Sequence, residues 1–132
     1  MIALDTNVLV RYLVDDDAQQ GARAAALIHR AIDADDPLFV SDVVVCETVW
    51  VLAISYRVGR ADIASLLRDL FRAKHLRYSA VDQLVRALDA YESGKGDFAD
   101  YLVREHARAA ECDAVATFDK ALLREKGFVS VA

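Results

Sequence analysis

Ile2-Ala3-Leu4-Asp5-Thr6-Asn7-Val8-Leu9 opens the chain, and its reading decides the fold class. Three apolar residues that end in an aspartate read as a short buried strand. Asp-Thr-Asn is turn and N-cap chemistry, so the chain turns there into an apolar helix over residues 8–14. The same grammar repeats outward. Asp17 is placed to cap an alanine-rich helix over 18–31, and Pro37 introduces a strand over 38–40. Ser41 or Asp42 then caps an apolar helix that runs to about residue 55. Ile63, Leu66, Leu67, Leu70 and Phe71 fall at helical spacing over 61–73, as do Leu84, Val85, Leu88 and Tyr91 further on. Residues 76–79 form a short strand or merely the connection between those helices. Gly94-Lys95-Gly96 is a loop, Asp97 caps a helix over 98–110, and 114–117 is a strand with Asp119 just past its end. A short helix from Lys120 and an edge strand over 128–131 complete the pattern. Alternation of strands and helices predicts an α/β fold with a mainly parallel sheet covered on both faces. Ligands in such folds sit beyond the carboxyl ends of the strands.

The 132 residues suit one domain, 1–132, able to bury a core without staples. Acidic residues outnumber basic ones by 21 to 16, a net charge of -5, which excludes a generally basic nucleic-acid coat but not a local basic stripe. Cys46 and Cys112 stand far apart in apolar stretches with no C-x-x-C pair. That excludes a zinc knuckle or disulfide scaffold and makes a reducing, cytoplasmic setting the expectation. No apolar run approaches the ~20 residues of a membrane span, and Asp5 and Arg11 interrupt any signal-peptide pattern.

The strand ends carry acids. Asp5 follows the first strand, Glu47 lies one to two turns into the helix after the second, Asp97 and Asp100 open the helix before the 114–117 strand, and Asp119 follows it. A parallel sheet can bring all of these to one edge. Carboxylates crowded in one cleft repel and are partly neutralised unless a cation sits among them. A hard divalent ion with oxygen ligands, Mg²⁺ or Mn²⁺, is the natural counter-charge. Glu47 is the most informative, because its helix is apolar nearly all round and predicts a buried carboxylate. The competing explanation is an ion pair with a buried arginine such as Arg104. Local alternatives exist elsewhere too: Asp5 and Asp119 as helix caps, and Asp100 paired with Arg104 one turn on.

Four pieces in order are then familiar: residues 2–9, Glu47 in its apolar helix, Asp97-Phe98-Ala99-Asp100-Tyr101-Leu102, and Thr117-Phe118-Asp119. Together they resemble the PIN-domain ribonucleases, and within them the VapC-type toxins of bacterial toxin–antitoxin modules, over the whole chain. The resemblance implies a PIN-like three-layer α/β/α fold and a divalent-metal-dependent endoribonuclease. It implies Asp5, Glu47, Asp100 and the more peripheral Asp119 as the catalytic acids. Asp5 and Asp100 would hold Mg²⁺ or Mn²⁺, with Glu47, Asp97 and Asp119 as further or water-mediated ligands. Thr6, Asn7 and Thr117 would support them. Tyr101 departs from the small residue that many members carry there, and narrows the cleft if it faces it. The resemblance also implies an RNA substrate, a VapB-like antitoxin and a homodimer.

Metal-assisted hydrolysis needs no histidine, and His29, His75 and His106 have no ligand spacing. Arg11 heads the basic side chains expected at the rim, with Arg57, Arg60, Arg86, Lys95 and Lys120 behind it. The helix around Trp50 is apolar on more faces than one sheet can cover, which predicts a two-fold dimer. For the antitoxin that the resemblance implies, the expected seat is a groove between the helices around Leu67 and Leu88, unless those faces are merely core. An aspartyl phosphotransferase is disfavoured, since Asn7 stands where it would need an acid. A catalytically silent PIN-fold module that binds protein or RNA is the remaining alternative.

Overall fold

The computed structural model describes residues 1–131. The elements follow in chain order: β1 (Ile2–Ala3), α1 (Thr6–Leu13), α2 (Ala18–Asp33), β2 (Leu38–Phe39), α3 (Asp42–Ile54) and α4 (Arg60–Arg72). After them come β3 (Leu76–Arg77), α5 (Val81–Ser93), α6 (Phe98–Ala109), β4 (Val115–Thr117), a 3-10 turn (Leu122–Arg124) and β5 (Phe128–Ser130). The mixed α/β architecture with parallel strands is the one expected.

The strands are short because caps cut them off. Asp5 ends the first strand region by accepting from Thr6 N at 2.8 Å, so α1 begins at Thr6 and not at Val8. Asp17 accepts from Gln20 N at 2.9 Å and opens α2. Ser41 accepts from Val44 N at 3.3 Å and opens α3 immediately after Val40. Each side-chain oxygen satisfies a backbone N–H that the first helical turn leaves free. Residues Leu76 and Arg77, ambiguous in the sequence, form a strand. The helix expected from Lys120 shrinks to the 3-10 turn.

All pairing among the described residues is parallel but falls into two ladders. β1, β2 and β3 align Ile2 with Leu38 and Leu38 with Leu76, whereas β4 aligns Val115 with Phe128 of β5. The single central sheet expected from the alternation is thus divided. Two- and three-residue strands give each ladder few backbone groups with which to extend it, and β1 keeps both of its residues exposed.

The core lies between these ladders and the helices. Leu4, Ile28, Leu38, Val40, Val49, Leu52, Ile63, Leu67, Leu84, Leu88 and Leu102 are buried in one cluster. Leu67, Leu84 and Leu88 are fully covered, so the apolar faces of α4 and α5 close on each other and on the core. Leu67, Leu84 and Leu88 therefore cannot themselves line the antitoxin groove expected between these helices, whereas Val81 and Val85 of α5 stay exposed. Phe71 lies half-buried, edge-on to Tyr78 at 5.2 Å. α3 behaves differently. Val45, Val49 and Leu52 enter the core, while Val43, Trp50 and Ile54 remain exposed. Among the described residues no helix is long and apolar enough to cross a membrane.

Candidate functional site

The site builds from two caps. Asp5 is the N-cap of α1, and its exposed carboxylate spends one oxygen on Thr6 N. Thr6 is buried, and its hydroxyl donates to Glu47 Oε2 at 2.8 Å. This bond ties the start of α1 to the second turn of α3, bringing Asp5 and Glu47 to neighbouring positions. Glu47 is exposed, not buried: it lies on the outward stripe of α3 with Val43 and Trp50, because helical spacing turns only one side of an all-apolar helix inward. Arg104 does not pair with it. That guanidinium donates to Lys126 O at 2.8 Å and approaches Glu105.

The second cap carries the other acids. Asp100 Oδ2 accepts from Asp97 N at 2.9 Å across the first turn of α6, the reciprocal half of a capping box. Asp100 therefore also has a partner other than Arg104. Burial pushes its carboxyl above the ordinary value, and the like charges of Asp97, Asp119 and Glu125 add to this against the lowering backbone bond. Asp119 lies beyond β4. Its N–H donates to Thr117 Oγ1 at 3.0 Å, and its Oδ1 accepts from Ala121 N at 2.8 Å and Leu122 N at 3.3 Å. The cap roles foreseen for Asp5 and Asp119 are real, and each still leaves one carboxylate oxygen without a backbone donor.

The loop before Asp97 is held from both sides. Arg60 donates to Tyr91 O at 2.9 Å, Gly96 O at 2.7 Å and Lys95 O at 3.2 Å, with its guanidinium over the Tyr91 ring. Tyr101 is buried; its hydroxyl accepts from Gly96 N at 2.9 Å and donates to Glu125 Oε2 at 2.6 Å. It therefore faces the core side of the loop and does not narrow a cleft. A Cβ at Gly94 would clash with the Tyr101 hydroxyl, and one at Gly96 would meet Leu122 Cδ2 at 2.7 Å, so both glycines are required by close approach.

The acids thus gather as Asp5 with Glu47, and as Asp97, Asp100 and Asp119 with Glu125. Among the described residues no three His, Cys, Asp or Glu side chains stand close enough together to hold a metal ion. The donor chemistry nevertheless fits a hard divalent cation. All the donors are carboxylate oxygens, and the like-charge pressure on Asp100 is what a bound cation would relieve.

Several rim assignments change. Arg60 is committed to the loop. Arg86 pairs with Asp82 at 3.2 Å and with the buried Glu105 at 2.8 Å. Arg11 donates to Gln20 at 2.7 Å and to Asp16 and Tyr56 at 3.1 Å each. Arg57, Lys95 and Lys120 are exposed. His106 meets Asp42 at 2.8 Å, joining α6 to α3. Cys112, flanked by Glu111 and Asp113, is exposed and not in the apolar setting expected. Glu125 and Phe118, the latter 84% exposed between Thr117 and Asp119, are neighbours that motif spacing did not single out. Arg23 and Arg30 were also missed; they line an open groove of about 520 Å³ with Asn7 and Arg11. Their seven-residue separation, two helical turns, was the available signal.

Comparison with curated proteins yields no match. The family model described as the PIN domain matches residues 2–128, nearly the whole chain and every acid discussed above, and the chain belongs to that family.

Proposed function

We propose that this PIN-domain protein is a Mg²⁺- or Mn²⁺-dependent endoribonuclease acting as the toxin of a type II toxin–antitoxin pair. PIN domains are commonly metal-dependent nucleases, and the family membership supports a nuclease-type fold. The observation that carries the reading is the Thr6–Glu47 bond, which couples two acids from distant stretches of sequence beside the N-cap of α1. Asp5 and Asp100 would hold the ion, with Glu47, Asp97 and Asp119 as further or water-mediated ligands. When bound, a divalent ion lowers the pKa of its water and polarises a phosphoryl oxygen. The chain's own residues do the rest. Thr6 orients Glu47, the Asp97–Asp100 cap fixes the start of α6, and Thr117 holds the backbone at Asp119. The ordered motif set supports the VapC-type assignment and its cytoplasmic setting, and with them a VapB-like antitoxin.

The homodimer draws support from α3. Val43, Trp50 and Ile54 are at least 59% exposed and fall on one side of the helix. An exposed apolar stripe of this kind marks a partner surface.

Purified protein is expected to cut structured RNA in Mg²⁺ or Mn²⁺ and to stop when EDTA is added. Asp5→Asn should lower the rate at least about 100-fold, since a ligand should matter no less than the outer-shell groups whose loss has that size. Cleavage that survives the chelator would overturn the metal dependence. Binding of RNA or protein with no cleavage under any divalent ion would favour the silent-module alternative.

A further inference from the structure

The groove between α1 and α2 holds three guanidinium groups and no carboxylate. Asn7, Arg11 and Gln20 line it together with Arg23 and Arg30. Asn7 lies in the first turn of α1, which Asp5 caps, so the groove starts at the helix end that carries one acid of the candidate site. We propose that it binds the phosphodiester backbone of the RNA substrate on its way to those acids. The proposal deepens the nuclease reading and rests on it for the identity of the ligand.

Three observations carry it. Arg23 and Arg30 are exposed and have no hydrogen-bond or ion-pair partner among the described residues, whereas Arg11, Arg60, Arg68, Arg86, Arg104 and Arg108 are all engaged. The two free side chains lie seven residues apart on α2, about 10 Å along one side of the helix. Arg11 is held in place by Asp16, Gln20 and Tyr56, which fixes it at low entropic cost.

The charged side chains of the walls, Arg11, Arg23 and Arg30 with no carboxylate, argue for a polyanion. Among the described residues, none of the exposed large hydrophobic side chains lines the groove. Its apolar surface comes from Ala24, Ala26, Val8 and Leu27, of which the last two are already packed on the core. Phosphates would find charge and amide donors, with small residues that permit close approach. A protein of net charge -5 whose candidate site is itself acidic needs such a local positive track to hold RNA.

The test is binding of a fluorescein-labelled, mixed-sequence single-stranded RNA in EDTA, followed by anisotropy across a salt series. The Arg23→Gln/Arg30→Gln double variant should weaken binding about fivefold, the yield of two exposed ionic contacts. The slope of log affinity against log salt should shrink by about 1.4 for two lost phosphate contacts. Arg72→Gln/Arg77→Gln, an equal charge change outside the groove, should leave both unchanged. Equal losses in the two double variants, or none in the first with melting temperatures preserved, would overturn the proposal; in the second case the groove is left to a protein partner. Cleavage in Mg²⁺ is scored separately. A wild type that binds RNA through the groove yet cuts none sinks the nuclease reading and leaves the groove assignment standing, whereas a wild type that binds no RNA sinks both.

Discussion

Asp100 feels burial and three like charges at once, and its carboxyl is raised above the ordinary value of 3.8. A raised acid favours the folded state while it is protonated. That stability is fully present below the unfolded pKa and is lost as pH rises through the folded one. At neutral pH the ionised group therefore opposes the metal-free fold. Asp100→Asn removes the charge, and the amide oxygen can still accept from Asp97 N. The apo variant should melt at an equal or higher temperature than wild type at pH 7, with the difference vanishing below the unfolded pKa, while RNA cleavage is abolished. A large fall in melting temperature at pH 7, read by circular dichroism, would mean that the carboxylate has a stabilising partner after all. The acids themselves were legible in the sequence, because strand ends and capping residues are local features. Their surroundings were not. Whether Glu47 is buried depends on which side of α3 the sheet covers, and an apolar helix does not encode that. The partner of Arg104 depends on where Lys126 returns, more than twenty residues later.

At the level of elements, local chemistry was again the readable part. Asp17 and Ser41 cap the helices assigned to them, and the period of α4 and α5 gave their existence correctly. Periodicity could not say that Leu67, Leu84 and Leu88 would be spent on each other and on the core, out of a partner's reach. Nor did it reveal the polar knot beneath α6. Glu105 is 1% exposed and accepts from Arg86 at 2.8 Å and Arg108 at 2.8 Å, with Arg104 Nε at 3.6 Å. A buried carboxylate with several donors is costly to disturb, because removing its charge strands the groups around it. Arg104 Nε is already without a full hydrogen bond. Glu105→Gln keeps the shape and loses the charge, and should lower the unfolding free energy by about 1–3 kcal/mol. Urea denaturation checks this. Although Glu105 shares α6 with Asp100, RNA cleavage below the midpoint should persist, which separates a structural strut from the site.

For the whole molecule the decisive feature is the asymmetry of α3. One side supplies Val45, Val49 and Leu52 to the core; the other leaves Val43, Trp50 and Ile54 in water with Glu47 among them. Exposing a tryptophan and two β-branched side chains in a row forgoes about 25 cal/mol for each Å² left uncovered, so a second copy that covers them gains that energy. A two-fold axis through this stripe would set the same surface of each chain against the other. Glu47 stands on the same stripe, so the two candidate sites would meet at the interface. Trp50→Glu places a charge at the middle of the stripe and touches neither the core nor the Thr6–Glu47 bond. Sedimentation at micromolar concentration should show a dimer for wild type and a monomer for Trp50→Glu, with the melting temperature of the monomer lowered by loss of association. A wild type that sediments as a monomer, or a Trp50→Glu variant that remains dimeric, would remove α3 as the contact between copies. RNA affinity in EDTA then reports whether pairing matters to the substrate. If an RNA spans both sites, the monomer should bind more weakly while its salt slope per chain is unchanged, because the groove between α1 and α2 is complete within one copy.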